Sequence, residues 1–458
     1  MPHSNSAPST DAYPADASLT GDASPTGSAA TPPAPSTGAS LTGSAATPPA
    51  PSSTPPAVSA PTRRALIGGF VALGTLLAAP PALAARRPAD TSTTAAFAFL
   101  AEKIDQYGSG TTLRVPQSYT GGFFAGINFV SSFLYDDALT IIALTHEGSP
   151  AHLARAQMLG DVLLYVQAHD PIGDGRTRAS YQPDPLITAD GTPYIGSPAA
   201  YSGNQAWVGM ALCHLYQRTG QRKYLTGALT AANWIHSKTW SAAGIPGYTG
   251  GRSADDQPLT FKATEHNIDI GAFFAMLAKQ TGDRLWATRS ARAFAFVQAM
   301  WDTPGRMLWT GTNPDGVTIN HYPIPADVQV WAYLATRDRR SSQAVDWVIA
   351  NLSASDGGFT GISFSNTDTS KVWFEGTAHL VAALQLRRGP GDRDRVTSYL
   401  ASLRDAQLRA PNADGKGIVA ASSDGLDTGF GDLYYASLHT GATAWYLLAK
   451  LGTNPFVL

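Results

Sequence analysis

One cysteine, Cys213, stands in 458 residues, so no disulfide can form within the chain. A cysteine zinc cluster and a CxxC redox pair are excluded with it. Cys213 lies in the apolar stretch WVGMALCHLY, where a thiol reads as core filling. Charge is also scarce: 14% of residues are Asp, Glu, Lys or Arg, and the formal net charge is −2. No basic block occurs in the part that reads as folded, which argues against a nucleic-acid partner. There is no G-x-G-x-x-G after a strand, no P-loop, no G-x-S-x-G and no H-E-x-x-H. Asp174, Asp190 and Asp315 sit in Gly-containing loops, but none matches a full calcium loop, and no second histidine stands at metal-ligand spacing from His266. Neither a metal nor a cofactor is expected. No apolar run is long enough for a confident membrane span.

What is present begins with a leader. Residues 1–62 are mostly Ala, Pro, Ser, Thr and Gly, and TGSAATPPAPS occurs twice, at 26–36 and 42–52. Such a segment buries too little apolar surface to offset its ordering entropy, so disorder is expected. Thr62-Arg63-Arg64 then precedes an apolar run over 65–79 and Ala82-Leu83-Ala84. The basic, apolar, small-residue order over 63–84 predicts an export signal, and the paired arginines resemble a twin-arginine signal. A secreted or periplasmic protein is expected, with no stable span after cleavage. The remaining residues, 90–458, form the expected folded domain.

Helical periodicity dominates that domain. It predicts helices near 94–107, 132–146, 150–168, 203–219, 222–237, 264–281, 283–301, 326–336, 341–352, 372–387, 393–408 and 436–451, with no convincing strand between them. Their connections alternate in length. His146-Glu147-Gly148-Ser149, Thr219-Gly220-Gln221-Arg222, Thr281-Gly282-Asp283-Arg284, 336–340 and 388–392 are tight. The connections 108–131, 169–202, 238–263, 302–325, 353–371 and 409–435 are long. In a ring of antiparallel helices the long connections must emerge on one face. They lead into six polar helix openings: Tyr135-Asp136-Asp137, Asn204-Gln205, Thr264-Glu265-His266-Asn267, Asp327-Val328-Gln329, Trp373-Phe374-Glu375-Gly376 and His439-Thr440-Gly441. One mouth should therefore gather helix N-termini, whose dipoles favour acids.

LYQRTGQRKYL at 215–225 and LAKQTGDRLWA at 277–287 share a helix, a Thr-Gly reversal and an Arg-containing restart. With NQAWVGMALCHLYQRTGQRKYLTGALTAANWI, these units resemble the hairpins of the six-hairpin (α/α)6 glycosidase superfamily over roughly residues 92 to 455. The resemblance implies an all-α fold, an (α/α)6 toroid of six helical hairpins. It also implies a carbohydrate-active enzyme with its site at the mouth.

Glycoside hydrolysis needs one protonated carboxyl group at the leaving oxygen and a second carboxylate to activate water or attack carbon. The catalytic candidates are Asp136, Asp137, Glu265, Asp327 and Glu375. Asp136 and Asp137 point about 100° apart on a helix, so only one can face the mouth. Glu265 and Asp269 share a face, and Thr264 is a candidate cap. Each acid has a competing reading as helix-start chemistry, strongest at Asp327 after Pro325. Asp427 and Asp432 sit among glycines, where turn chemistry is commoner. Residues expected to hold the sugar are Asn204, Gln205, Tyr248, His266, Asn267, Asp269, Tyr322, Gln329, Trp331, Trp373 and His439. Tyr181, Tyr194, Tyr201, Trp240, Trp309, Tyr434 and Tyr435 also fall on long connections or helix starts. Some of them should stack on sugar rings and others pack the loops.

The expectation is an exported, monomeric glycoside hydrolase acting on a neutral poly- or oligosaccharide, with inversion, using Glu265 or Glu375 as acid. A polysaccharide lyase using Tyr248, His266 and Asn267 is the alternative enzyme, although acids outnumber arginines at the mouth. A sugar epimerase, a terpene-cyclising toroid and a non-catalytic carbohydrate-binding protein are further alternatives.

Overall fold

A computed structural model describes residues 90–458, so the leader and the export signal lie outside the described residues. Thirteen helices are described. They are α1 (Thr91–Asp105), α2 (Gly122–Gly126), α3 (Leu134–Glu147), α4 (Pro150–His169), α5 (Ser202–Thr219), α6 (Arg222–Thr239), α7 (Thr264–Thr281), α8 (Arg284–Ala299), α9 (Ala326–Thr336), α10 (Arg339–Asn351), α11 (Phe374–Arg387), α12 (Asp392–Arg409) and α13 (Thr440–Leu451). All twelve expected helices are there, and the single-turn α2 is additional. The long connections are not strand-free as expected. They hold short antiparallel pairs, of which Ser353–Asp356 with Phe359–Ile362 is four residues long. Most of the others are only two residues long, too short to show alternation in the sequence.

Helices α3, α5, α7, α9, α11 and α13 pack in that order, and α13 packs back on α3, closing an inner ring. Each of α4, α6, α8, α10 and α12 packs on the inner helix before it, and α1 lies against α13. The sixth hairpin is thus made from the two ends of the domain. Burial explains the two rings. Every residue of α5 from Ser202 to Leu215 is buried. On α10 only Ser341, Ala344, Val345 and Val348 are, the single apolar stripe of a surface helix. Inner helices end sharply in left-handed residues; Gly220 and Gly282 have φ of 68° and 73°. A side chain is strained there, which is why Thr-Gly marks both turns.

The opposite end of the ring is closed by the C-terminus. Phe456 sits with its ring centre 5.2 Å from that of Trp207, 5.6 Å from Trp331 and 6.5 Å from Trp445. His214 Nε2 donates to the Pro455 carbonyl at 3.0 Å, so its Nδ1 accepts from His146 Nε2 at 3.2 Å. Burial holds the His214 imidazole down to about 4, against an ordinary 6.5. A depressed histidine binds fewer protons folded than unfolded, so its stabilisation is complete above pH 6.5 and is lost as pH falls through 4. The difference corresponds to roughly 3 kcal/mol. Unfolding free energy of the wild type should therefore fall more steeply from pH 6.5 to pH 4 than that of His214→Gln. Parallel pH profiles for the two proteins would contradict this linkage.

Candidate active site

The inner helices open in a common register. The fourth residue of each ties its helix to the loop beside it. The Gln205 amide exchanges hydrogen bonds with Thr177 N and O at 3.0 and 2.8 Å. The Asn267 amide does the same with Tyr248, both at 2.9 Å, and that of Gln329 with Leu308 at 2.7 and 2.8 Å. Thr377 and Thr443 hydroxyls accept from Ile362 N–H and Ile418 N–H at 3.1 and 2.9 Å. Asp137 holds the same position on α3, where it accepts from Ser132 Oγ at 2.8 Å. The amides of Gln205, Asn267 and Gln329, expected on the substrate, are thus engaged by backbone. Asp137 is turned away from its neighbour Asp136.

With the fourth residue fixed, the second residue turns toward the mouth. The second residues are Tyr135, Gly203, Glu265, Asp327, Glu375 and Gly441. One turn deeper, at the sixth position, stand Leu139, Trp207, Asp269, Trp331, His379 and Trp445. Three carboxyl groups therefore meet in the upper layer above a largely aromatic floor. Tyr135, Asp327, Trp331, Phe364, Trp373, Glu375 and Tyr434 line a small cavity there. A larger cleft between α11, α12 and residues 452–454 has no carboxylate in its lining and lies outside this chemistry.

Glu375 is the best-held acid. Its Oε1 accepts from the Tyr135 hydroxyl at 2.7 Å, and Tyr135 in turn accepts from Trp445 Nε1 at 2.8 Å. Trp331 Nε1 donates to His379 Nδ1 at 3.2 Å, which leaves the His379 proton on Nε2, 3.5 Å from Glu375 Oε1. His439 Nδ1 lies 3.4 Å from Glu375 Oε2. Burial alone would push this carboxyl up, but His379, His439 and Tyr135 outweigh it and hold it below its ordinary value. Glu375 is therefore ionised at neutral pH.

Glu265 is driven the other way. Burial raises it far above the ordinary range, and the nearby Asp327, Asp269 and Glu375 add like-charge repulsion. Asp269 is raised by burial and by Asp327; neither of its oxygens has a hydrogen-bond partner, although Trp207 faces it. Burial pushes Asp327 up to about 7 against the Val328 N–H, which donates to its Oδ1 at 2.6 Å. Carboxyl groups this close share protons as a set. The surroundings of Glu265 favour its protonated form and those of Glu375 its ionised form. Opposed shifts at neighbouring acids mark an acid/base division of labour.

The other expected residues divide between site and scaffold. Asp136 lies at the mouth, bonded through Oδ2 to His439 Nε2 at 3.2 Å. Trp331 and Trp373 line the cavity. His266 is buried, with Ser202 Oγ 3.1 Å from its Nδ1, and ties α7 to α5. Asn204 is buried in the first turn of α5. Tyr248 is buried beneath Trp240, ring centres 5.1 Å apart, whereas Tyr322 is 50% exposed. Thr264 does not cap α7; its hydroxyl donates to the Trp309 carbonyl at 2.6 Å. Asp174 pairs with Arg176 at 2.9 Å, and Asp190 and Asp315 accept from their own turns. Among the described residues no group of three or more His, Cys, Asp or Glu is arranged to hold a metal ion. Sequence reading overlooked Tyr135, His379 and Trp445 as individual site residues, although each follows from the common register.

Comparison with known proteins bears on the fold. No family model matches the chain, and no curated protein sequence does. Solved structures do. Cellobiose 2-epimerase from Bacillus thermoamylovorans superposes at TM-score 0.58 and 10% identity, over 79% of this chain and 99% of that one. The chain has the six-hairpin glycosidase fold. A family 76 glycoside hydrolase from a bovine Bacteroides thetaiotaomicron strain shares this toroid at TM-score 0.54 and 13% identity, over 80% of this chain and 78% of that one. D-mannose isomerase does so at TM-score 0.56 and 11% identity, over 79% and 97%. Structures described as an epimerase, an isomerase and a glycoside hydrolase thus share this toroid, and the likeness is one of fold. No helix among the described residues is long and apolar enough to cross a membrane.

Proposed function

We propose that this toroid is a glycoside hydrolase acting on a neutral poly- or oligosaccharide. The observation that carries the reading is the opposed surroundings of two acids at one mouth: Glu265 is buried among other carboxyl groups, which favours its protonated form, whereas Glu375 is held by Tyr135, His379 and His439, which favour its ionised form. In the proposed reaction Glu265 gives its proton to the glycosidic oxygen. Glu375 takes a proton from the water that attacks the anomeric carbon. Both Glu375 oxygens face hydrogen-bonding or cationic groups, which suits a base that passes a proton on better than a nucleophile that must bond carbon, so we assign inversion. Burial, with like charge from Asp327 as the next cause, favours the protonated form of Glu265. The lining residues Trp373, Phe364 and Tyr434 supply ring faces for the sugar, and Trp331 forms part of the floor. No Lys or Arg lines the cavity beside Asp327 and Glu375, which speaks against an anionic substrate and hence a lyase. The 63–84 segment makes export by the twin-arginine route part of the proposal, as is a monomeric state.

The test is incubation of purified protein with a panel of neutral oligosaccharides and β-glucans, following new reducing ends and the anomer first released by proton NMR. Release of the inverted anomer is expected. Absence of new reducing ends across the panel would remove the hydrolase reading. A second reading, sugar epimerisation, is favoured by the two buried imidazoles beside Glu375 and by the shared fold. It predicts a 2-epimer formed with no gain in reducing ends.

A further inference from the structure

We propose that the loop 424–436 is the gate of the catalytic mouth, and that Tyr434 on it swings out to admit a sugar and returns over its ring. The inference rests on the hydrolase reading and deepens it by saying how the substrate enters. The mouth is closed as it stands. Every residue lining the cavity is at most 4% exposed. The cavity holds about 10 Å³, room for one water molecule and not for a sugar ring. Most of its lining is fixed by the inner ring. Tyr135, Asp327, Trp331 and Glu375 stand on α3, α9 and α11, and Trp373 is the N-cap of α11. The Phe364 carbonyl accepts from the N–H of Ala326, the first residue of α9, at 2.8 Å. Tyr434 alone comes from the loop 424–436.

That loop is built to keep its own shape. Its ends are tied together by the Ala436 N–H, which donates to Asp424 Oδ1 at 2.8 Å, the build of a compact functional loop. Inside it the Gly425 N–H donates to the Tyr434 carbonyl at 2.9 Å, and the Thr428 N–H to the Asp432 carbonyl at 3.1 Å. Its hold on the neighbouring loop is slighter. Ser365 Oγ donates to the Thr428 carbonyl at 2.8 Å, and the Asp427 N–H to Asp368 Oδ2 at 3.3 Å. Phe430 and Tyr434 lie with ring centres 6.2 and 5.7 Å from that of Phe364, and Tyr434 lies 5.9 Å from Trp373. Gly431, at φ 93°, borders open space, and Leu433 is 38% exposed. So small a joint opens locally at less cost than the fold unfolds. Tyr434 is the part of the gate that reaches the chemistry. Burial, then the charges of Glu375, Asp327, Asp432 and Asp136, hold its hydroxyl well above its ordinary value, so it stays protonated. Opening admits sugar and solvent. Reclosing restores the burial that raises Glu265 and Asp327.

The test places a thiol at the joint in the full chain. Ser365→Cys puts it on the fixed side, where Ser365 is buried and faces Thr428. Cys213, buried in α5, is the chain's own thiol and the internal standard, since only opening of the toroid exposes it. Methyl methanethiosulfonate, with labelling read by mass spectrometry, should modify the introduced thiol at least about 100-fold faster than Cys213. In the Glu375→Gln background, a saturating oligosaccharide that the wild type cleaves should slow that reaction roughly tenfold. Adding Tyr434→Ala should speed it, because the ring contacts that hold the gate shut are gone. Thr428→Cys gives the same readings from the moving side if Ser365→Cys does not fold. An introduced thiol that reacts no faster than Cys213 would overturn the gate, as would a rate that the oligosaccharide leaves unchanged. Labelling needs no turnover, so those results with an inactive Glu375→Gln remove the gate alone. Full activity of Glu375→Gln would remove the hydrolase reading, and the comparison with Cys213 would then decide the gate by itself.

Discussion

Glu375→Gln is expected to reduce kcat by roughly 10³-fold at the pH optimum, within the range for loss of a positioned general base. The substitution keeps size and removes the charge. It leaves the Tyr135 hydroxyl an acceptor, so local packing should survive. Glu265→Gln should be comparably damaging on natural glycosides, whose leaving oxygen needs a proton. It should recover most of its activity on an activated aryl glycoside, whose leaving group needs none. The pH profiles separate the two roles. Protonation of Glu375, held below its ordinary 4.5, sets the acid limb. Loss of the Glu265 proton, held well above 4.5, sets the basic limb, which should vanish in Glu265→Gln. Full activity in both variants would sink the assignment. Two independent losses, each with its own limb of the profile, would establish which acid does which job.

Much of this site can be read from helix starts alone. The alternation of tight and long connections places six helix N-termini at one mouth, and the toroid bears that out. The acids that converge are second residues of inner helices, Glu265, Asp327 and Glu375, and all three stand out in sequence as polar openings to apolar runs. What single-helix reading cannot show is the register between helices. Asp136 and Asp137 look alike in sequence. Asp137 occupies the fourth position, where Gln205, Asn267, Gln329, Thr377 and Thr443 tie helix to loop. Asp136, one residue earlier, reaches His439 across more than 300 residues of chain, a contact no local pattern encodes. The protonation states were likewise hidden, because the opposed shifts arise from side chains on several different helices. The sixth hairpin was expected in number but not in its make-up: α1 and α13 are joined by closure of the ring and not by a turn.

Phe456→Ala is expected to destabilise the toroid by about 3–5 kcal/mol, the usual cost of emptying a large aromatic site in a core. Phe456 is buried at 2% exposure although it lies beyond the last helix, α13, where a solvent-exposed side chain is the commoner outcome. Its ring instead fills the axis of the inner ring beneath Trp207, Trp331 and Trp445. Those tryptophans cannot close the gap themselves. Trp331 is tied to His379 through Nε1, and Trp445 to Tyr135, so moving either would break the contacts that hold Glu375. The cavity should therefore stay open, and the cost should lie at the upper end of the range. A second consequence follows from the same ties. Any relaxation of Trp331 or Trp445 into the space must loosen the hydrogen bonds around Glu375 one layer above. Loss of kcat in Phe456→Ala should therefore appear only to the extent that the stability cost falls below that upper end. Chemical denaturation with parallel assay checks both. A loss under 1 kcal/mol with unchanged kcat would show that the plug is not coupled to the floor.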